Sequence, residues 1–107
     1  MSQESIDEAL LAASPMHPVI RDAIELQAKK GETYNGIDDS DPAKRKYFPY
    51  GSVSYLTMLH IKLQRLDGIL LDKDRVINFE SAYDTVLDLI NYASFLGAYL
   101  KDEEDDS

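Results

Sequence analysis

The sequence contains no cysteine, so the protein has no disulfide framework, no thiolate metal site and no cysteine nucleophile. Its uninterrupted apolar runs are far shorter than the ~20 residues that a membrane-spanning helix needs. Residues 1–13 carry Glu4, Asp7 and Glu8 where a secretory signal peptide would carry positive charge. We therefore expect a cytoplasmic protein that does not enter a membrane.

Positive charge is also scarce. Twenty acidic residues outnumber 11 basic ones, and the formal net charge at pH 7 is −9, of which residues 102–106 contribute more than half. A non-specific nucleic-acid binder is disfavoured, because contacts to phosphates need clustered lysines and arginines. The acidic charge instead suits solubility, a basic partner or a divalent cation.

The spacing of apolar residues predicts an all-helical protein, and 107 residues allow one domain with one core. Four helices are expected, at about residues 2–13, 18–30, 52–66 and 79–100, with an end of the third helix at residue 70 as the alternative. Asn78 is a suitable N-cap for the fourth helix. A connection at residues 31–50, rich in turn-forming residues, separates the second helix from the third. Its length indicates either a functional segment or disorder.

Two of these helices carry continuous apolar surfaces. The third has leucines at the 3-4-3-4 spacing of a helix packed in a bundle, namely Leu56, Leu59, Leu63, Leu66 and Leu70. The fourth has an apolar stripe formed by Ala82, Val86, Leu89, Ala93, Leu96 and Leu100. Two short N-terminal helices can hardly cover both surfaces. We therefore predict a four-helix bundle-like domain over residues 1–101 that dimerises, followed by a disordered acidic tail at residues 102–107.

Acidic side chains recur along one face of the fourth helix. At about 100° per residue, Asp84, Asp88 and Asn91 fall within roughly 60° of one another, and Glu80 lies one turn earlier on that side. Oxygen ligands of this type hold Mg²⁺ or Mn²⁺, which makes Glu80, Asp84 and Asp88 candidate metal ligands. The alternative is a solvated polar face opposite the core. Like charges four residues apart, with no compensating cation there, favour a face turned to a cleft or another helix.

Cations that could contact a phosphate lie in two places. On the third helix, Lys62 and Arg65 could bind phosphate oxygens, or they could pair with the carboxylates of the fourth helix. In the connection, cations are followed by aromatic rings that could stack a base: Lys44, Arg45, Lys46, Tyr47 and Tyr50. The alternative is a loop whose rings cover the rim of the core. The sequence has no Gly-rich phosphate loop, Ser-His-Asp pattern or zinc-ligand spacing, so no catalytic residue is identified.

Three segments together resemble a known family. The third helix carries Lys62-x-x-Arg65-Leu66, and the fourth carries Glu80-Ser81-x-x-Asp84-Thr85-x-x-Asp88-Leu89-x-Asn91-Tyr92-Ala93. Upstream lies Lys30-Gly31-Glu32-Thr33-Tyr34-Asn35-Gly36. These segments are similar to the small, mainly phage-encoded family called nucleotide modification associated domain 1, over roughly residues 28–97. The resemblance implies a phage-type nucleotide-binding protein that works in the host cytoplasm.

More distantly, the fourth helix resembles the second metal-binding helix of the MazG-like all-α nucleoside-triphosphate pyrophosphohydrolases. Asp84 and Asn91 match the Asp and Asn that bind Mg²⁺ in those enzymes. The enzymes also carry a Glu-Glu-x-x-Glu cluster on the preceding helix, where this chain has Leu59-His60-Ile61-Lys62-Leu63-Gln64-Arg65. The resemblance therefore implies Mg²⁺ as the cofactor and a degenerate pyrophosphohydrolase. It supports nucleotide binding more than hydrolysis.

We therefore expect a nucleotide or phosphorylated nucleoside to be bound, sequestered or hydrolysed in a cleft between the third and fourth helices. The phosphate of this ligand is expected to contact the cations Lys62, Arg65, Lys44, Arg45 and Lys46. Its base is expected to stack on Tyr34, Tyr47 or Tyr50. Asn91 and the candidate metal ligands Glu80, Asp84 and Asp88 complete the expected site. The alternative is an acidic host-takeover or anti-defence protein that mimics nucleic acid and occludes a basic host protein surface. Acids that face cations across a pocket would favour the first function, and acids spread over a continuous exterior would favour the second.

Overall fold

The computed structural model describes residues 17–33, 40–74 and 76–105, which contain helices and turns but no β-strand. They form α1 (His17–Thr33), α2 (Ser52–Leu70) and α3 (Phe79–Asp105), with a 3₁₀ turn at Arg45–Tyr47. The all-α prediction is confirmed for these ranges, which hold three α-helices rather than four. The helix predicted at residues 2–13 lies outside them. In the described part of the chain, no helix combines the length and the apolarity that crossing a membrane requires.

The residues before α2 and α3 determine where these helices start. Asn78 caps α3 as predicted, because its side-chain oxygen accepts a hydrogen bond from the Ser81 N–H at 3.0 Å. Gly51 precedes α2 with a φ of 64°, and a Cβ added there would lie 3.0 Å from the hydroxyl oxygen of Tyr99. Glycine is therefore required at this position by both its backbone conformation and its close neighbour.

Two helices extend further than the sequence predicts. Gly31 is expected to end α1, but the helix runs to Thr33, since a single glycine costs a helix only about 1 kcal/mol. Disorder is expected from residue 102, but α3 continues to Asp105. Extending a formed helix is much easier than starting one, and Asp102 accepts a hydrogen bond from the Arg45 guanidinium at 2.6 Å. Residues 106–107 of the predicted tail lie outside the described ranges.

The central helix is α3, which packs against both α1 and α2. The rings of Tyr55, near the start of α2, and Tyr99, near the end of α3, have centroids 5.2 Å apart. Further along α2, Lys62 pairs with Asp88 in the middle of α3. These contacts show that α2 and α3 are antiparallel, and that the row of α2 containing Tyr55 and Lys62 faces α3.

Three leucines of the α2 row lie beside this contact rather than within it, whereas Leu59 and Leu66 are half-buried. Leu56, Leu63 and Leu70 are 45%, 49% and 41% exposed, whereas Tyr55 has no exposed surface. Within the described part of one chain, these three leucines therefore do not pack inside a helical bundle as predicted. Polar groups decide the rotation of α2, because Tyr55 and Lys62 find buried or half-buried partners and would be costly to bury without them.

Aromatic rings from the connection, α2 and α3 form a buried cluster. Phe48 stacks on Tyr55 with centroids 4.4 Å apart and an angle of 14° between the rings, and it also contacts Tyr92 and Phe95. Tyr55 donates a hydrogen bond to the backbone carbonyl of Ala43 at 2.9 Å, and burial raises the pKa of its phenol. The connection thus contributes a ring to the core, as the alternative for this segment proposed.

We expect Tyr55→Phe to lower the free energy of unfolding by about 1–2 kcal/mol, because the buried Ala43 carbonyl loses its donor while the ring stacking remains. Urea unfolding measures the change. The matched control is Tyr47→Phe, since Tyr47 is 51% exposed and its change should stay within about 0.5 kcal/mol. Equal effects of the two substitutions would contradict the role given to the buried hydroxyl.

Candidate functional site

Three helices meet at Asp88 of α3. Its side chain is 15% exposed, and its two carboxylate oxygens lie 2.7 Å from Nζ of Lys30 on α1 and 3.0 Å from Nζ of Lys62 on α2. Asp88 is one of the three predicted metal ligands, and Lys62 is a predicted phosphate ligand. The structure brings these two together as an ion pair, which was the alternative for Lys62, and adds Lys30.

This triad carries one positive charge in excess. Burial raises the pKa of Asp88, but the hydrogen bonds from Lys30 and Lys62 outweigh that effect and hold the pKa below its usual range. The carboxylate is therefore ionised at neutral pH between two ammonium groups.

Asn91, predicted to contact the ligand, connects α3 to α1 instead. It is buried, and its amide nitrogen donates a hydrogen bond to the backbone carbonyl of Ala23 at 3.0 Å. Its amide oxygen accepts one from the side chain of Gln27 at 3.3 Å. Both ends of the amide are therefore engaged within the protein, one turn from Asp88.

The other two predicted metal ligands, Glu80 and Asp84, are exposed on α3. Asp88 is turned towards its lysines, so the three carboxylates do not converge. Within residues 17–33, 40–74 and 76–105, no group of three or more His, Asp or Glu side chains is placed to hold a metal ion.

The sequence predicts that Arg65 shares a pocket with Asp88. In the structure, Arg65 instead lines a groove further along the α2–α3 contact. The groove has a volume of about 480 Å³. It is lined by Arg65, Gly68, Ile69, Asp72, Val76, Asn78 and Ser81. Arg65 is exposed, and its guanidinium has no ion pair or hydrogen bond with any described residue.

Arg45, predicted to contact phosphate, is occupied by carboxylates. Its guanidinium lies 2.6 Å from Asp102 and 2.8 Å from Asp41, and its carbon lies 5.9 Å from the centroid of the Tyr99 ring. Hydrogen bonds to Asp102 and Asp41 raise the pKa of Arg45. The backbone N–H of Arg45 in turn helps to hold the pKa of Asp41 below its usual range. Arg45 therefore fastens the connection to the end of α3.

The other residues of the connection that the sequence predicts to contact a ligand lie before the start of α2. The groove lined by Arg65 lies towards the end of α2. Lys46, Tyr47 and Tyr50 are exposed, Tyr50 by 80%. Lys44 adopts a left-handed backbone conformation with a φ of 53°. Tyr34 lies outside the described ranges. The structure therefore does not bring the connection and Arg65 into one site.

Sequence reasoning missed the contribution of α1 to this region. Besides Lys30 and Gln27, α1 supplies Asp22, which accepts a hydrogen bond from the Tyr83 hydroxyl of α3. The spacing of residues in α1 could have indicated this contact. Ala23, Gln27 and Lys30 follow one another at i+4 and i+3, so they share one face of the helix. Polar side chains on the same face as a buried alanine indicate hydrogen-bonding partners across a helix contact.

Comparison of the chain with protein-family models, curated proteins and solved structures finds no match. The likeness to the nucleotide-associated family therefore stays a hypothesis from the quoted motifs. The function has to be argued from the site itself.

We expect Asp88→Asn to lower the free energy of unfolding at pH 7 by about 2 kcal/mol, because two lysines then face each other without the carboxylate. The pKa of Asp88 is lowered in the folded protein. Its stabilisation is therefore fully present above about pH 4, the usual range of an unfolded aspartate, and is lost as the pH falls through the folded pKa. Denaturant unfolding between about pH 7 and pH 3 should show the wild-type advantage shrinking only at the acid end.

Asp84→Asn is the matched control, since Asp84 lies one turn earlier on α3, is exposed and has no ion pair with a described residue. Its effect should stay within about 0.5 kcal/mol. A loss in Asp88→Asn that is undiminished at the lowest pH would mean that Asp88 acts through packing rather than charge.

Proposed function

We propose that the protein binds a nucleotide or phosphorylated nucleoside in the groove between the end of α2 and the start of α3. The observation that carries the proposal is Arg65, an arginine with no carboxylate partner among the described residues that lines a groove of about 480 Å³. In a chain with nearly twice as many acids as bases, an arginine that forms no ion pair with a described residue is unusual. Its planar guanidinium matches the oxygens of a phosphate in a two-point contact.

The other groove residues suit the rest of such a ligand. The volume falls within the range of about 300–1,000 Å³ that small-molecule sites occupy. Ile69 and Val76 offer apolar surface to a base or ribose, while Ser81 and Asp72 offer hydrogen-bonding groups. Ser81 also lies in the first turn of α3, where the helix dipole favours a negative charge.

Binding or sequestering of the ligand is better supported than hydrolysis. Asp88, one of the predicted metal ligands, is neutralised by two lysines, and Asn91 is hydrogen-bonded to α1. Mg²⁺ would then enter as part of the ligand, because this ion commonly binds through substrate phosphates, water and only one or two carboxylates. Asp72 is the carboxylate of the groove.

We expect one or more nucleoside mono-, di- or triphosphates to raise the melting temperature, because a ligand that binds only the folded state stabilises it. At a concentration a hundred times Kd the gain is about 2.7 kcal/mol, which corresponds to roughly 10 °C for a domain of this size. The assay is a thermal-shift screen with and without Mg²⁺, using inorganic phosphate and unphosphorylated nucleosides for comparison.

Arg65→Met should remove most of this shift, because it keeps the apolar stem and loses the phosphate contact. Lys101→Met is the control, since Lys101 is an exposed cation near the end of α3, far along the helix from the groove, and it should keep the full shift. A shift that survives in Arg65→Met, or no shift with any phosphorylated compound, would contradict the proposal. Release of pyrophosphate from a bound triphosphate would show hydrolysis as well as binding.

A second candidate is the acidic protein that occludes a basic host surface. The observation in its favour is the row of exposed acids on α3, formed by Glu80, Asp84 and residues 102–105. Lys30 and Lys62 beside Asp88, and Arg45 beside Asp102, count against a continuous acidic exterior. Salt-sensitive capture of a basic host protein, without any nucleotide shift, would favour this candidate.

We also propose that the protein is a homodimer, in which α2 and α3 from each of two copies pack together as four helices. The partly exposed leucines of α2 support this, because a stable monomer rarely leaves a continuous apolar helix face uncovered. The sequence-based expectation is a bundle of four helices within one chain, so this arrangement is a different one in which two chains supply the four helices.

A further inference from the structure

One surface of the α2–α3 pair, which we call the leucine face, combines one apolar row from each of the two helices. On α2 it contains Leu56, Leu59, Leu63, Leu66 and Leu70, and on α3 it contains Ala82, Val86, Leu89, Ala93, Leu96 and Leu100. Four of these leucines are at least 41% exposed, with Leu100 at 51%. Ala93 is also exposed, Ala82 is buried, and the other members of the two rows are half-buried.

The two rows point to the same side of the molecule. At about 100° per residue, the leucine row of α2 is rotated by roughly 70° from Tyr55 and Lys62, which face α3. The apolar row of α3 is rotated by roughly 100°, in the same sense, from Asp88, Tyr92 and Tyr99, which face α2. Because the helices are antiparallel, equal senses of rotation bring both rows to one side. The α1 contacts of α3 lie on the opposite side, so α1 does not cover the leucine face.

Over residues 79–100 of α3, charge is low on this side and high on the other; only Glu103 and Glu104, in the last turn of the described helix, lie close to the line of the apolar row. Glu80, Asp84 and Asp88 lie on α3 roughly 120–160° away from its apolar row. Helix α2 contains the cations Lys62 and Arg65 and the single acid Asp67, so it is not acidic like the whole chain. Two copies that each carry −9 therefore repel each other least when they meet through the leucine face.

We propose that two copies pair through the leucine face with their α2 helices antiparallel and their Leu63 side chains meeting on the two-fold axis. This inference builds on the proposed homodimer. The leucine row is symmetric about Leu63, with Leu56 and Leu70 seven residues away on either side, so reversal of the helix matches leucine to leucine. The 3-4-3-4 spacing is that of a helix-pairing seam.

Two further features favour the antiparallel direction. In a parallel pair the acidic ends of the two α3 helices, residues 102–105, would lie next to each other, whereas the antiparallel pair places them at opposite ends. The antiparallel pair also brings His60 of one copy beside Asp67 of the partner subunit, twice across the axis. The face is about 28 Å long for the 19 residues of α2 and two helices wide. These dimensions suit an interface of the standard size of about 800 Å² per copy.

Pairing leaves the nucleotide groove open. Arg65 and Gly68, which line the groove, lie roughly 140–160° from the leucine row around α2. The dimer and the ligand site therefore use different sides of the α2–α3 pair. A failure of one proposal does not decide the other.

The first test is the mass of the full chain by light scattering at micromolar concentration, with twice the 12.1 kDa of one chain expected. Leu63→Glu should give a folded species of 12.1 kDa, with folding checked by circular dichroism. The control is Ile24→Glu, an apolar residue of α1 that is 62% exposed and outside the face, which should stay dimeric. A wild-type monomer overturns the proposal. A monomer that Leu63→Glu strongly destabilises would assign the face to another part of the same chain.

The second test determines the direction of pairing and uses the absence of cysteine in the chain. Leu63→Cys should form a disulfide-linked dimer under mild oxidation, because its two copies meet within the ~7 Å that a disulfide spans between Cα atoms. Leu56→Cys should not cross-link to itself, since its copies lie about 21 Å apart along the axis. A mixture of Leu56→Cys and Leu70→Cys should cross-link. A dimer of the expected mass in which Leu56→Cys links to itself overturns the antiparallel geometry but leaves the homodimer standing.

Discussion

The pairing of Asp88 with two lysines decides how the helices are rotated against one another. A carboxylate that is only 15% exposed would be expensive to leave without partners, so both Lys30 and Lys62 must point towards α3. Fixing Lys62 inward also fixes the rest of α2. Residues one position later along the helix, including Leu63, are turned roughly 100° away from that contact. One ion triad thus determines which face of α2 is covered and which is left to solvent.

The same rotation produces the groove. Arg65 follows Lys62 by three residues, so it lies on a neighbouring part of the helix surface but past the reach of Asp88. There α2 and α3 approach the loop that joins them, and α1 does not fill the space beside them. The result is a cation at an opening rather than in a salt bridge.

Local sequence patterns are sufficient to predict part of this structure. Apolar spacing predicts α2 and α3, and Asn78 is recognisable as a cap because its function needs only the next three residues. The pairing of Lys62 with an acid of the next helix is also one of the two alternatives that the sequence allows. Other features depend on partners distant in the chain. Gln27 and Asn91 are 64 residues apart, and periodicity within one helix cannot show that they meet.

Two differences between the expected and the observed structure have this same cause. The composition of residues 102–105 is typical of a disordered tail, yet Asp102 is held by Arg45, 57 residues earlier. The leucine spacing of α2 is typical of a helix packed in a bundle, but spacing alone does not show which helix packs against that row. Polar contacts determine which face of α2 packs against α3. Leaving a half-buried polar group without a partner costs more free energy than leaving a leucine half exposed.

Viewed along its axis, α3 has three sides with different chemistry. One side bonds to α1 through Asn91 and Tyr83, the second meets α2 through Asp88 and Tyr99, and the third is the apolar row. The first two sides are covered by hydrogen bonds, an ion triad and stacked rings. The third contains no group that needs a specific partner, only surface that gains from being removed from water. In the proposed dimer, a copy of the same chain covers this surface with an identical row, and the charged side of α3, with the groove proposed to bind a nucleotide, stays open to solvent.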